Sequence, residues 1–146
     1  MLKKTLSGFF LAVLVASVAF PEGEATVEKQ YYSNGTIQAE TTFSNGLENG
    51  IYKYYYKNGK IKMIGQYKDG KAEGTWKGFY EDGRFKSEGL FKDGKPEGVW
   101  VTYYPTGEKQ MEREFKAGKR AGRYKVFSRN GKCVSEQAYV EGSDQP

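Results

Sequence analysis

A glycine stands at Gly35, Gly59, Gly83, Gly107 and Gly131, each 24 residues after the last. The rest of the unit keeps the same step. Asn34, Asn58, Asp82, Thr106 and Asn130 precede these glycines, and an aromatic pair stands ahead of them at Tyr31-Tyr32, Tyr55-Tyr56, Phe79-Tyr80 and Tyr103-Tyr104, decaying to Phe127-Ser128. A second glycine series runs Gly46, Gly70, Gly94, Gly118 and Gly142, and a third runs Gly50, Gly74, Gly98 and Gly122. Large rings follow the third series at Tyr52, Trp76, Trp100 and Tyr124, and others precede the second at Phe43, Tyr67, Phe91, Phe115 and Tyr139. A period of this length, kept without insertion or deletion, means stacked copies of one supersecondary unit.

The unit reads as two strands and two glycine turns. Asp82-Gly83 between aromatic-rich runs predicts a β-hairpin with a two-residue type I′ turn, because both central residues there need positive φ. Counting outward, Glu81 pairs with Arg84; Tyr80 faces Phe85, Gly78 faces Ser87 and Trp76 faces Gly89 on one side, with Phe79 opposite Lys86 and Lys77 opposite Glu88 on the other. Lys92-Asp93-Gly94-Lys95 and its equivalents make the second turn. The structural turns are thus Gly59, Gly83, Gly107 and Gly131 on one series and Gly70, Gly94 and Gly118 on the other. An isolated two-stranded hairpin is marginal in water, so neighbours must stack to bury their rings. The expectation is an all-β, elongated array of about five stacked 24-residue hairpins, its core formed by Trp76, Trp100, Tyr52, Tyr124, Tyr56, Tyr80, Tyr104, Phe91, Phe115 and Tyr67.

The ends differ. Lys3 and Lys4 precede an apolar run from Leu6 to Ala19, and Ser17-Val18-Ala19 offers the small residues of a cleavage site. The run is about 14 residues where about 20 are needed to span a bilayer. Residues 1–19 therefore read as a signal peptide forming an N-terminal signal helix, 20–30 as a linker, 31–142 as the repeat domain and 143–146 as a tail, so the protein is expected to be secreted or periplasmic. Cleavage after Ala19 lowers the net charge from +5 by the two lysines. The remaining lysines alternate with acids along the chain, which is no nucleic-acid footprint. The single cysteine, Cys133, takes the repeat position of Ile37, Ile61 and Phe85 and reads as a small core hydrophobe.

Glu88 to Gly98, EGLFKDGKPEG, resembles the heart of a MORN repeat, with weaker copies at Gly65 to Gly74 and Glu114 to Gly122. The 24-residue period and paired aromatics are most similar to the short bacterial variant of that repeat, found also in proteins labelled YwqK-like antitoxins. This resemblance implies a hairpin array used for binding, with no catalytic residues to carry over. The antitoxin label implies neutralising a toxin inside the cell, which an export signal opposes.

Catalysis is not indicated. There is no histidine, and no phosphate-binding glycine loop opens a helix, so the usual general-base, nucleophile and metal arrangements are missing and no cofactor or metal is expected. The expected role is a non-enzymatic scaffold with another protein as partner. Its candidate contact residues are Tyr55, Phe79, Tyr103 and Phe127 with Lys53 and Lys77. Two alternatives concern the cell envelope. Lysines could meet anionic lipid head groups, and Gly74 to Tyr80 and Gly98 to Tyr104 resemble choline-binding cell-wall repeats, whose rings cage quaternary ammonium groups. The sequence sets no oligomeric state.

Overall fold

A computed structural model describes residues 24–139. They form one antiparallel sheet of ten strands in chain order, with no helix among the described residues. The strands are β1 (Thr26–Tyr31), β2 (Ile37–Ser44), β3 (Leu47–Tyr55), β4 (Ile61–Lys68), β5 (Lys71–Phe79), β6 (Phe85–Lys92), β7 (Lys95–Tyr103), β8 (Lys109–Lys116), β9 (Lys119–Phe127) and β10 (Cys133–Tyr139). The array begins at Thr26, so residues 26–30, expected as linker, are β1 paired to β2. The signal segment and the 143–146 tail lie outside the described residues.

Two kinds of turn alternate, one along each edge of the sheet. At the first, Gly83 N donates to Tyr80 O at 2.8 Å and Tyr80 N to Arg84 O at 2.8 Å. Gly83 has φ +94 and Asp82 is not in the left-handed region. This is a type I turn closed by a glycine bulge, not the expected type I′ turn. The bulge moves the register by one residue, so Phe79 pairs with Phe85, not Lys86, and Tyr80 does not face Phe85. Further in, Gly78–Ser87, Lys77–Glu88 and Trp76–Gly89 pair as expected. The acid or amide before the glycine serves as an acceptor: Asp82 Oδ1 takes Arg84 N at 2.9 Å and Asn58 Oδ1 takes Lys60 N at 3.0 Å. Type I′ geometry belongs to the other edge, where both turn residues have positive φ, as at Asp93 (φ 51) and Gly94 (φ 78). Ala117 (φ 50) lacks the polar side chain that eases this conformation elsewhere.

Each edge also ties one repeat to the next. The second tyrosine of each aromatic pair donates its hydroxyl to the carbonyl of the first aromatic one repeat on: Tyr32 to Tyr55 at 2.7 Å, Tyr56 to Phe79 at 2.8 Å, Tyr80 to Tyr103 at 2.6 Å and Tyr104 to Phe127 at 2.8 Å. At the opposite edge Gly70 N reaches Glu48 O (2.8 Å), Gly94 N reaches Ala72 O (2.9 Å) and Gly118 N reaches Pro96 O (3.0 Å). Tyr56, Tyr80 and Tyr104, expected as core rings, are half-buried straps. In the last unit Ser128 replaces the tyrosine and bonds its own turn through Lys132 O at 3.0 Å.

On one face, edge-to-face contacts join Tyr52–Tyr67 (5.7 Å), Tyr67–Trp76 (5.3 Å), Trp76–Phe91 (5.5 Å), Phe91–Trp100 (5.0 Å) and Trp100–Phe115 (6.0 Å) into a continuous ladder across six strands. The expectation that these rings are sealed is corrected. Trp76 is buried, 7% exposed, but Tyr52, Tyr67, Phe91, Trp100, Phe115 and Tyr124 are half-buried, because a one-layer sheet puts no lid over its own face. The ring also lies on a different glycine. A Cβ on Gly65 would overlap the Trp76 indole, and one on Gly89 would overlap that of Trp100. Each tryptophan thus covers the glycine 11 residues before it, on the preceding strand, and not its expected partner.

The ladder stops at both ends. Glu28 on β1 holds the position of Tyr52 and Trp76, and Gln137 on β10 that of Gly65 and Gly89. Cys133 is exposed, against its expected place in the core, since β10 has a neighbour on one side alone.

Candidate functional site

The face opposite the tryptophans carries a row of alternating charges. Glu40 lies between Lys29 (3.1 Å) and Lys53 (3.7 Å), Lys77 pairs across from Glu88, and Lys125 approaches Glu136 at 3.9 Å. Lys53 is therefore already matched, while Lys77 is exposed beside an acid. Surface pairs of this kind contribute about 0–1 kcal/mol each, so the row adds little to stability.

Beside that row runs a band of rings. Phe79 meets Phe85 at 5.9 Å and Phe85 meets Tyr103 at 5.1 Å. Tyr55 and Phe127 hold the same position on the odd strands to either side, and all four expected rings are half-buried. The structure thus joins Phe79 and Tyr103 through Phe85, a residue the sequence reading had placed on the other face. The bulge brings it there, and the clue was its alignment with Ile37 and Ile61 immediately after each glycine turn. A hollow of about 360 Å³ opens over this band, lined by Phe85, Tyr103, Pro105, Thr106, Gly107 and Arg84. Arg84 is anchored by Asp82 Oδ2 at 2.6 Å.

Tyr55 donates its hydroxyl to Glu40 Oε2 at 2.7 Å, and Tyr103 to Glu88 Oε1 at 3.3 Å. Burial, then this bond to Glu40, pushes the Tyr55 phenol from 10.0 up to about 12. The Tyr55 bond, with Lys29 and Lys53 behind it and burial opposing, holds the Glu40 carboxyl below its ordinary range. The two signs differ. The Tyr55 contribution is complete below pH 10.0 and is lost as pH rises through about 12; that of Glu40 is lost as pH falls through its lowered value. Denaturation measured from pH 9 upward is therefore expected to show the stability advantage of wild type over Tyr55→Phe shrinking across that upper window. A constant difference would remove the pair from the stability account.

The type I′ edge carries cations in like pairs: Lys68 pairs with Lys71, Lys92 with Lys95 and Lys116 with Lys119, and Arg120 follows. Three of the nearby acids accept hydrogen bonds. Glu73 accepts Asp93 N at 2.9 Å, Glu97 accepts Ala117 N at 2.7 Å, and Asp69 accepts Asn49 Nδ2 at 3.1 Å. Alternation along the chain had concealed this edge, because the turns bring lysines together that sequence separates by acids.

Four tandem stretches, residues 26–45, 48–69, 72–93 and 96–117, match the MORN repeat variant and together cover more than half of the chain. The chain belongs to the MORN repeat variant family. Each matched stretch is one hairpin, from β1–β2 to β7–β8, so there are four MORN repeats rather than the expected five. β9 and β10 extend the sheet past the last match. MORN repeats are in general protein- or membrane-binding modules. No curated protein matches this sequence significantly.

Proposed function

We propose that this MORN array is an exported, non-enzymatic scaffold that receives a protein partner on the face carrying Tyr55, Phe79, Phe85, Tyr103 and Phe127. The observation that carries this reading is the band of half-buried rings beside an alternating charge row, on a sheet face that no other described residues cover. Large rings ringed by polar groups are the usual anchors of a protein interface. Export rests on the apolar leader at residues 6–19, which also weighs against a toxin-neutralising role in the cytoplasm.

A pull-down from a cell-envelope fraction tests the reading. Wild type is expected to retain a partner that Phe79→Ser/Tyr103→Ser loses while Lys68→Glu/Lys92→Glu keeps it. Equal retention by all three proteins contradicts the ring band as the contact. A second reading has its own support, since the like-paired lysines of the type I′ edge suit an anionic surface. Salt-sensitive pelleting with anionic vesicles, lost in Lys68→Glu/Lys92→Glu, would favour it. The choline alternative is weakened because the chain's own cations already sit over several tyrosines: Lys62 over Tyr54 and Tyr56 (5.3 and 5.4 Å) and Lys86 over Tyr80 (5.4 Å).

A further inference from the structure

The repeat column Thr41, Gly65, Gly89, Arg113, Gln137 is small or neutral except at Arg113. It lies on the tryptophan face, where the next strand's ring must rest, and a long cation there breaks the packing rule of the two preceding units. The Arg113 guanidinium carbon lies 5.2 Å from the Tyr124 ring centroid. Its Nη2 reaches Met111 Sδ at 3.7 Å, a weak acceptor, and its Nε is buried with no hydrogen-bond partner. No carboxylate answers it among the described residues. Glu112 is bonded to Lys109 at 2.7 Å, and Glu114 accepts Arg123 N at 3.2 Å.

Beside this cation opens a hollow of about 200 Å³, walled by Trp100, Phe115 and Met111, with Ser87 and Thr102 on its rim. Arg113 is half-buried, with its Nε buried and unpartnered against mostly apolar walls, so an anion in the hollow would supply the counter-charge that the described residues do not. The fork is planar and matches the two oxygens of a carboxylate. One cation balances one carboxylate, whereas a phosphate dianion would require more.

We propose that this hollow binds a carboxylate carried on a small apolar body, with the carboxylate on Arg113 and the body resting against Trp100 and Phe115. The site is on the face opposite the ring band and stands independently of the protein-partner reading.

The test is a ¹⁵N NMR titration of the folded protein with benzoate, benzyl alcohol and inorganic phosphate, following the Trp100 indole and Arg113 Nε signals. Benzoate is expected to shift both saturably, and benzyl alcohol and phosphate to bind at least about tenfold more weakly. Arg113→Gly restores the residue of Gly65 and Gly89, and is expected to stay folded and to lose the benzoate response. Arg113→Lys keeps the charge without the fork and is expected to weaken it severalfold. No saturable shift with benzoate, equal binding of phosphate, or an unchanged response in either variant overturns the proposal. So does a folded Arg113→Gly that still binds, which would leave Arg113 as a stacking residue for Tyr124.

Discussion

Trp76→Ala is expected to lower stability by about 3 to 5 kcal/mol, within the range for truncating a buried tryptophan. Trp76 is the most buried ring of the sheet, 7% exposed. It touches Tyr52 at 5.6 Å, Tyr67 at 5.3 Å and Phe91 at 5.5 Å, and so joins strands β3 to β6. Truncation would break the ladder in the middle and expose the Gly65 backbone, with no second layer among the described residues to collapse into the gap. Its indole Nε1 is buried without a partner, which offsets part of the loss. The half-buried Trp100 is expected to cost less in the same substitution. Calorimetry or urea unfolding measures both, and a Trp76→Ala protein melting within a degree or two of wild type would show that the ladder does not hold the sheet together.

Gly89→Ala is expected to destabilise by about 1 to 3 kcal/mol through overpacking, the opposite sign from the usual gain when glycine is replaced at a compatible position. Gly89 does not have positive φ, so its backbone accepts alanine; the obstacle is the Trp100 indole lying where the Cβ must go. Either the ring lifts off the sheet, uncovering apolar area, or the strands part. Equilibrium unfolding in urea gives the value, and a neutral or stabilising result would mean that the indole does not lie on Gly89.

The array itself was legible, because the period, the glycine turns and the position of every ring are written at fixed intervals. Turn type was not. Asn-Gly or Asp-Gly occurs at both edges, yet at Asp82-Gly83 the carboxylate captures Arg84 N, while Asp93-Gly94 adopts positive φ at both residues. The two geometries differ by one residue in register, and that residue moved Phe85 to the other face. The ring–glycine partner was misread for a similar reason. Trp76 has a glycine on each side, Gly65 and Gly89, and bulges at Gly74 and Gly98 place each tryptophan toward the preceding strand. The face of the ring band followed from side-chain parity, so Tyr55, Phe79, Tyr103 and Phe127 fall on one side. Arg113 carries no signal in the sequence, since a departure from the repeat has meaning only once the column's packing is known.

A double-mutant cycle reads the contact between repeats directly. Gly89→Ala combined with Trp100→Ala is expected to show coupling of about 1 kcal/mol or more, because removing the indole makes room for the new methyl. Gly89→Ala combined with Trp76→Ala, its neighbour in the strand ladder, is expected to be nearly additive. Coupling to Trp76 with additivity at Trp100 would contradict the packing of each ring onto the preceding strand, and with it the account of how one MORN hairpin holds the next.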